Sequence, residues 1–366
     1  MKSAKPPALF ITSPVFSSAA WGSNHPLAIS RQSTVISLCE IFGWLPPSVV
    51  RIAEAASTQA LIEFHDPDYV AAFQQVCDSG KVSAHIRQKY QLGTMENPIF
   101  PGLFERAATT VGGSILAAKW AMKGHVVYHP AGGTHHGRAH KASGFCYFND
   151  PVFAIGASLA GGKSRVAYID LDAHHGDGVE DAFLTDPRVL TISIHEENRW
   201  PYSGELGSAG AEGTACNLPV PKGINDTELD FLMQKIVLPL LHEFGPEAVV
   251  ITCGADALAG DPLSGMQLSN GALWQAVQQL VKLVPGAIVL GGGGYNPWTL
   301  ARCWAGLWGV LSQQTLPQTL PASARHLLGE LQCDLVDEDE IEPQWLTHLQ
   351  DQPNEGSVRE YFKQLC

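Results

Sequence analysis

Arg165-Val166-Ala167-Tyr168-Ile169-Asp170-Leu171-Asp172-Ala173-His174-His175-Gly176-Asp177 runs from an apolar, β-branched segment straight into five ionisable side chains within eight residues. Arg165 to Ile169 reads as a buried strand. The charged groups then emerge at its C-terminal edge, where open α/β sheets place their ligand sites. Along extended backbone, side chains two residues apart point the same way. Asp170, Asp172 and His174 are therefore expected on one face, as oxygen and nitrogen ligands suited to a divalent metal such as zinc. Without a metal or partners, such crowding would cost several kcal/mol in desolvation. A lone Asp-X-Asp is commonly a solvated helix-capping turn; two consecutive histidines and a further Asp turn the balance toward a site.

Outward from this stretch, apolar runs alternate with helix-length segments. Strands are expected at Ala8 to Ile11, His125 to Tyr128, Arg165 to Ile169, Val189 to Ile194, Ala248 to Thr252 and Ala287 to Leu290. Helices are expected around Leu103 to Met122, Val152 to Leu159, Asp226 to Phe244, Asn270 to Leu283 and Pro297 to Leu311. The alternation implies βαβ crossovers and an α/β fold: a mostly parallel sheet with helices on both faces. Residues 1–316 are read as one catalytic domain. Residues 317–366, richer in charge, are read as a C-terminal extension packed on it.

Composition narrows the function classes. No run of about 18 apolar residues suggests a membrane span. The basic N-terminus, Met1 to Pro7, leads into only a short apolar segment, unlike a secretory signal, so the cytoplasm is the expected location. Eight scattered cysteines without a Cys-X-X-Cys pair argue against a disulfide framework and against a cysteine zinc site. A net charge of −13 disfavours nonspecific nucleic-acid binding and is compatible with a cationic substrate such as an amine or a lysine-bearing peptide.

Three more motifs follow strand-like segments. Gly132-Gly133-Thr134-His135-His136-Gly137 places adjacent imidazoles where one can act as base and the other as acid. A His-His pair alone is more often an incidental loop feature. Asp170 and Asp177 exceed the needs of one metal; each could accept a hydrogen bond from one of these histidines and raise its basicity. Thr252-Cys253-Gly254-Ala255-Asp256 offers Asp256 as a third ligand beside Asp172 and His174, although this segment alone is more often a Gly-Ala-Asp turn or helix cap. Gly291-Gly292-Gly293-Gly294-Tyr295 permits close backbone approach and can aim the Tyr295 hydroxyl at a developing oxyanion. A phosphate loop would need a following Lys-Ser/Thr or GxGxxG spacing, and neither is present; a tight structural turn is the other reading.

Together these motifs resemble the zinc-dependent histone deacetylase superfamily, which includes bacterial deacetylase-like amidohydrolases, acetoin utilization proteins and acetylpolyamine amidohydrolases. The matching strings are Gly133 to His136, Ser143-Gly144-Phe145-Cys146-Tyr147-Phe148-Asn149-Asp150, Asp170 to Val179, Gly254 to Asp256, and Gly291 to Tyr295 followed by Ala301-Arg302-Cys303-Trp304. They occur in family order, and the resemblance runs from about Trp21 to Val310. It implies one arginase-like α/β domain.

The resemblance assigns the metal, zinc or iron in its place, to Asp172, His174 and Asp256. It makes His135 and His136 the tandem catalytic histidines, with Asp170 and Asp177 as their carboxylate partners, and Tyr295 the hydrogen-bond donor to the substrate carbonyl. Gly144, Phe145 and Trp200 would flank a narrow acyl-lysine channel, with Glu96 at its rim. Leu263 stands where polyamine-selective relatives carry an acid, and Arg31 resembles an arginine of the inner channel. A structural potassium ion would be lined by Asp170, Asp172, His174, Ser193 and Ile194. The implied reaction is hydrolysis of an acyl-lysine amide, with zinc polarising the carbonyl and a water that His136 deprotonates. Alternatives are hydrolysis of an acetylpolyamine or other small acylated amine, and a metal-containing binding protein without turnover. A ureohydrolase would need a two-manganese ligand set that the sequence does not supply. No direct nucleic-acid or membrane partner is expected, and a homo-oligomer is left open, as is any role for His175.

Overall fold

The computed structural model describes residues 6–17, 21–22, 25–207 and 210–365. Residues 1–5 of the basic N-terminus and Cys366, one of the eight cysteines, lie outside them. Eight strands form one sheet: β1 (Leu9–Thr12), β2 (Val50–Ile52), β3 (Val127–His129), β4 (Val166–Asp170), β5 (Val189–Glu196), β6 (Ala215–Val220), β7 (Ala248–Thr252) and β8 (Ala287–Leu290). Their order is β2-β1-β3-β8-β7-β4-β5-β6, and every pairing is parallel. Parallel sheets are covered on both faces, so their strands carry apolar residues on both sides. In β4, Val166 and Tyr168 enter one core while Ala167 and Ile169 enter the other. This sheet and its flanking helices form the arginase-like architecture.

The six strands expected from sequence are present, with ends shifted by at most two residues. The two unexpected ones, β2 and β6, are the sheet's edges. An edge strand is buried on fewer sides and needs less apolar sequence. In β2, Ile52 is 57% exposed. In β6, Pro219 is tolerated because its backbone faces the open edge, where its carbonyl accepts from the Tyr361 hydroxyl and no ladder N–H is needed. The expected helix from Asp226 to Phe244 is one element with a π-turn at Met233–Val237. Pro239 lies just beyond it; lacking an N–H, it removes one i→i−4 bond, and the wider turn accommodates the loss.

Residues from the C-terminal segment, among them Leu320, Leu328, Trp345 and Phe362, are buried in the same core cluster as Ile169 and Ile251. Arg302 of the Pro297–Leu311 helix pairs with Asp351, and Arg359 pairs with Glu228 at 2.6 Å. No helix among the described residues is long and apolar enough to cross a membrane. The described cysteines are free thiols.

The topology decides where the chemistry lies. The strands before the four motifs, β3, β8, β7 and β4, are consecutive neighbours in the sheet. Being parallel, they deliver their following loops to one edge.

Candidate active site

At that edge the ligand atoms of Asp172, His174 and Asp256, all buried, lie within 4.8 Å of one another. The strand ends at Asp170, so strand alternation does not set their geometry as expected. Successive side-chain-to-backbone turns replace it: Asp170 Oδ1 accepts from Asp172 N at 3.1 Å, and Asp172 Oδ1 accepts from His174 N at 2.9 Å. His174 Nδ1 lies 3.2 Å from Asp172 Oδ1 and 2.9 Å from Asp256 Oδ2. The neighbouring loops supply the remaining hydrogen bonds, from Gly293 N to Asp172 Oδ2 at 2.5 Å and from Ala173 N to Asp256 Oδ1 at 3.1 Å. A Cβ on Gly293 would fall 2.0 Å from Asp256 Oδ2, so the glycine loop is what lets these carboxylates approach.

The electrostatics call for a cation at this point. Burial works against a charge on His174, yet the Asp172 and Asp256 carboxylates outweigh it and lift its pKa to about 10. Asp256 is pushed up to about 6 by burial and by repulsion from Asp172. Two buried carboxylates converging on an imidazole nitrogen make a hard, mixed oxygen–nitrogen donor set that fits zinc. The protein supplies three ligands, which leaves coordination positions for water and substrate.

The tandem histidines stand beside this set. His135 Nδ1 meets Asp170 Oδ2 at 2.7 Å and His136 Nδ1 meets Asp177 Oδ1 at 2.7 Å, turning both Nε2 atoms away from their carboxylates. His135 Nε2 lies 3.8 Å from Asp172 Oδ1. The surroundings push the two imidazoles in opposite directions. Burial opposes protonation of His135, but Asp170 and Asp172 overcome it and raise its pKa to about 9. Burial and the neighbouring His135 charge lower His136 to about 3. A divalent ion at the adjacent carboxylates withdraws part of the support for the His135 proton.

Four residues passed over in the sequence support this dyad and the walls around it. Arg138 pairs with the free side of Asp177 and with Asp181. Tyr168 donates to Asp170 Oδ2 at 2.6 Å from two residues earlier on the same strand. Arg199 binds Glu196 and donates to the Leu263 carbonyl at 2.7 Å, tying the Trp200 loop to the opposite wall. The fourth, Asp261, lies among the backbone amides of that wall. The Arg138 and Tyr168 signals were present, each two residues from the group it serves; Arg199 and Asp261 depend on loop packing that no spacing reveals.

His65, also unflagged, braces the loop from behind. Its Nδ1 donates to Arg138 O at 3.0 Å and its Nε2 accepts from Asn149 N at 3.2 Å. Asn149 in turn donates to the carbonyls of His135 and Gly137. Burial lowers the His65 pKa from 6.5 to about 4. The unfolded chain takes up this proton near pH 6.5, whereas the folded chain refuses it until about pH 4. Stability therefore falls as pH drops through that window, by on the order of 1 kcal/mol per pH unit from this group. Thermal melts across the window are expected to show a shallower acid slope for His65→Gln than for the unsubstituted protein. Equal slopes would remove His65 as a source.

A cleft of about 400 Å³ leads to the metal ligands, lined by Glu96, Gly144, Phe145, Trp200, Leu263 and Tyr295 among others. The Trp200 ring meets His136 edge to face at 4.6 Å, and Phe145 and Tyr295 lie 6.0 Å apart. Glu96 is at the rim, but its Oε1 accepts from Gly144 N at 2.9 Å. Burial holds the Tyr295 hydroxyl protonated, its pKa well above 10.0. Arg31 is half-buried behind the site, donating to Gly292 O and stacking on Trp304. Ser193 lies opposite Asp170 in strand register, with Ile194 next along β5.

His175, unassigned by sequence, turns away from the metal ligands. Its Nδ1 meets Ser203 Oγ at 2.9 Å and its Nε2 meets Glu180 at 3.2 Å. The ring packs on His195, whose Nε2 donates to Gly204 O at 3.0 Å. The pair anchors the end of the loop that carries Trp200.

Comparison with known proteins agrees along most of the chain. A family model described as the histone deacetylase domain matches residues 25–311. Histone deacetylase RPD3 of Saccharomyces cerevisiae is 34% identical over 309 residues, covering 82% of this chain and 71% of the yeast protein. The crystal structure of an HDAC homologue from Aquifex aeolicus superposes with a TM-score of 0.93 at 32% identity, covering 98% of each chain. That of an HDAC homologue complexed with SAHA gives 0.92, also at 32% identity and 98% of each chain. With family model, yeast relative and solved structures in accord, the chain belongs to the histone deacetylase family of zinc-dependent amide hydrolases.

Proposed function

We propose that this deacetylase acts on acylated lysine side chains, acetyl-lysine foremost, in proteins or peptides. The observation that carries the reading is the joining of the Asp172–His174–Asp256 donor set, the His135–His136 pair and Tyr295 at the foot of a cleft walled by Phe145, Trp200 and Leu263. Such walls suit an apolar four-carbon stem. A polyamine's second ammonium would need an acid on the wall; position 263 is Leu, and one oxygen of Glu96 is already engaged by Gly144 N.

Zinc held by the three ligands supplies Lewis-acid polarisation of the acyl carbonyl and of the attacking water. The chain's own groups do the rest. Neutral His136, oriented through Asp177, takes the water's proton at Nε2. Tyr295 donates its hydroxyl hydrogen to the oxygen that gains charge as the carbonyl becomes tetrahedral. A protonated imidazole of the pair returns a proton to the leaving amine, and the C–N bond breaks. Phe145 and Trp200 exclude bulk water from the stem. We further assign a structural potassium ion to Asp170, Asp172, His174, Ser193 and Ile194, and leave iron as the alternative resident metal.

A hydrolysis panel of acetyl-lysine peptides, longer acyl-lysines and acetylpolyamines, run with and without chelator, tests this reading. Acetyl-lysine peptides are expected to give the highest kcat/KM, with activity lost to chelator and restored by zinc. Preference for an acetylpolyamine would overturn the substrate assignment, and chelator-insensitive turnover the mechanism.

A further inference from the structure

Asp261 is buried and lies outside the metal ligands and the histidine pair, yet its carboxylate joins two parts of the site. Oδ2 accepts from Tyr295 N at 2.7 Å and from Asn296 N at 3.3 Å. Oδ1 accepts from Leu263 N at 2.9 Å. Asn296 returns the link, donating from Nδ2 to Gly260 O at 2.9 Å while capping the Pro297–Leu311 helix through Trp298 N and Thr299 N. The turn before Asp261 is backed by the C-terminal segment. Gly260 has φ +85°, and a Cβ there would come within 2.7 Å of the Trp345 indole.

We infer that Asp261 is a positioning residue: its two oxygens set the Tyr295 hydroxyl donor and the Leu263 channel wall from one rigid point. The inference rests on the assignment of Tyr295 to the substrate oxyanion. The Tyr295 side chain follows a run of glycines whose own backbone preferences would leave it free to wander. Some tertiary contact must therefore hold the backbone at 295, and the Asp261 carboxylate accepts its N–H. A displacement of about 1 Å in such a donor costs on the order of 100-fold in rate.

The two oxygens make the roles separable. In Asp261→Asn the amide oxygen satisfies two N–H groups if it faces Tyr295 and Asn296, and only one if it faces Leu263. The first orientation prevails, and the amide NH2 then opposes Leu263 N. Tyr295 stays in place while the channel wall shifts. Asp261→Ala loses both.

The expected result, measured on zinc-loaded enzyme with the best substrate of the panel above, is a split. Asp261→Ala loses roughly 10- to 100-fold in kcat with zinc content unchanged. Asp261→Asn keeps kcat within about threefold while KM rises. In a Tyr295→Phe background, Asp261→Ala causes no further loss of kcat, because groups acting through one another are not additive. Equal kcat losses in the Asn and Ala variants would show that charge, not position, is what Asp261 contributes, and would overturn the inference. So would an Asp261→Ala loss that persists undiminished in the Tyr295→Phe background, or a loss of zinc. Should Asp261→Ala fail to fold, the Asn variant decides alone: lost kcat with unchanged KM overturns the inference. The substrate reading fails separately, through inactivity of the unsubstituted enzyme on acyl-lysine peptides.

Discussion

Tyr295→Phe is expected to retain a full complement of zinc and to lose roughly 100- to 1000-fold in kcat, the range found when one preorganised oxyanion donor is removed. The substitution deletes one oxygen from a buried side chain and leaves the ring that packs near Phe145 and His174. The backbone amide that binds Asp261 is also unchanged. Folding and substrate binding should survive, and KM should change far less than kcat. The effect is large because burial keeps this hydroxyl protonated and water-poor. A hydrogen bond formed there with developing charge is stronger than one made in solvent. Steady-state kinetics on an acetyl-lysine peptide, paired with metal analysis, checks it. Near-normal turnover would remove Tyr295 from the reaction.

Asp172→Asn should act on the metal itself. The amide preserves size and can still receive one of the two backbone hydrogen bonds from Gly293 N and His174 N. It removes the charge that, with Asp256, makes the cluster attract a cation. Loss of an outer-shell partner commonly costs 10- to 100-fold in metal affinity, and loss of a ligand carboxylate should exceed roughly 100-fold. Zinc per chain should therefore fall well below that of the unsubstituted protein after dialysis, and activity should fall with it. High zinc in the assay should restore part of the activity. A variant that stays fully loaded and active would exclude Asp172 from the ligand set. The two substitutions separate the machinery: one keeps the ion and loses the chemistry, the other loses both.

The central sheet was legible because its strands are buried on both faces. Val249, Val250 and Ile251 have to be apolar wherever they point, and that requirement writes itself into a continuous run. The edge strands escaped for the converse reason: Val50–Ile52 and Ala215–Val220 are freer to hold Arg, Asn and Pro. The ligand types were legible for a chemical reason. Buried Asp and His side chains at a strand end are costly unless paired, so their clustering carries information. The supports were not. Asp261, Arg199 and His65 act through contacts to backbone amides and carbonyls, which any sequence provides at every position.

Sequence alone therefore determined the alternation of strand and helix, the four loops that carry the chemistry, and the kinds of side chain available for a metal and a proton-transfer pair. Those follow from burial and valence, which act residue by residue. Tertiary structure decided the rest. It made β3, β8, β7 and β4 neighbours, so that loops up to about 160 residues apart share one edge. It turned Asp172 and His174 together after the strand had ended, pushed the pKa values of two adjacent histidines in opposite directions, and sent His175 to a different task. Each of these outcomes depends on which groups from distant segments come within hydrogen-bonding range. Only the packed chain specifies those distances.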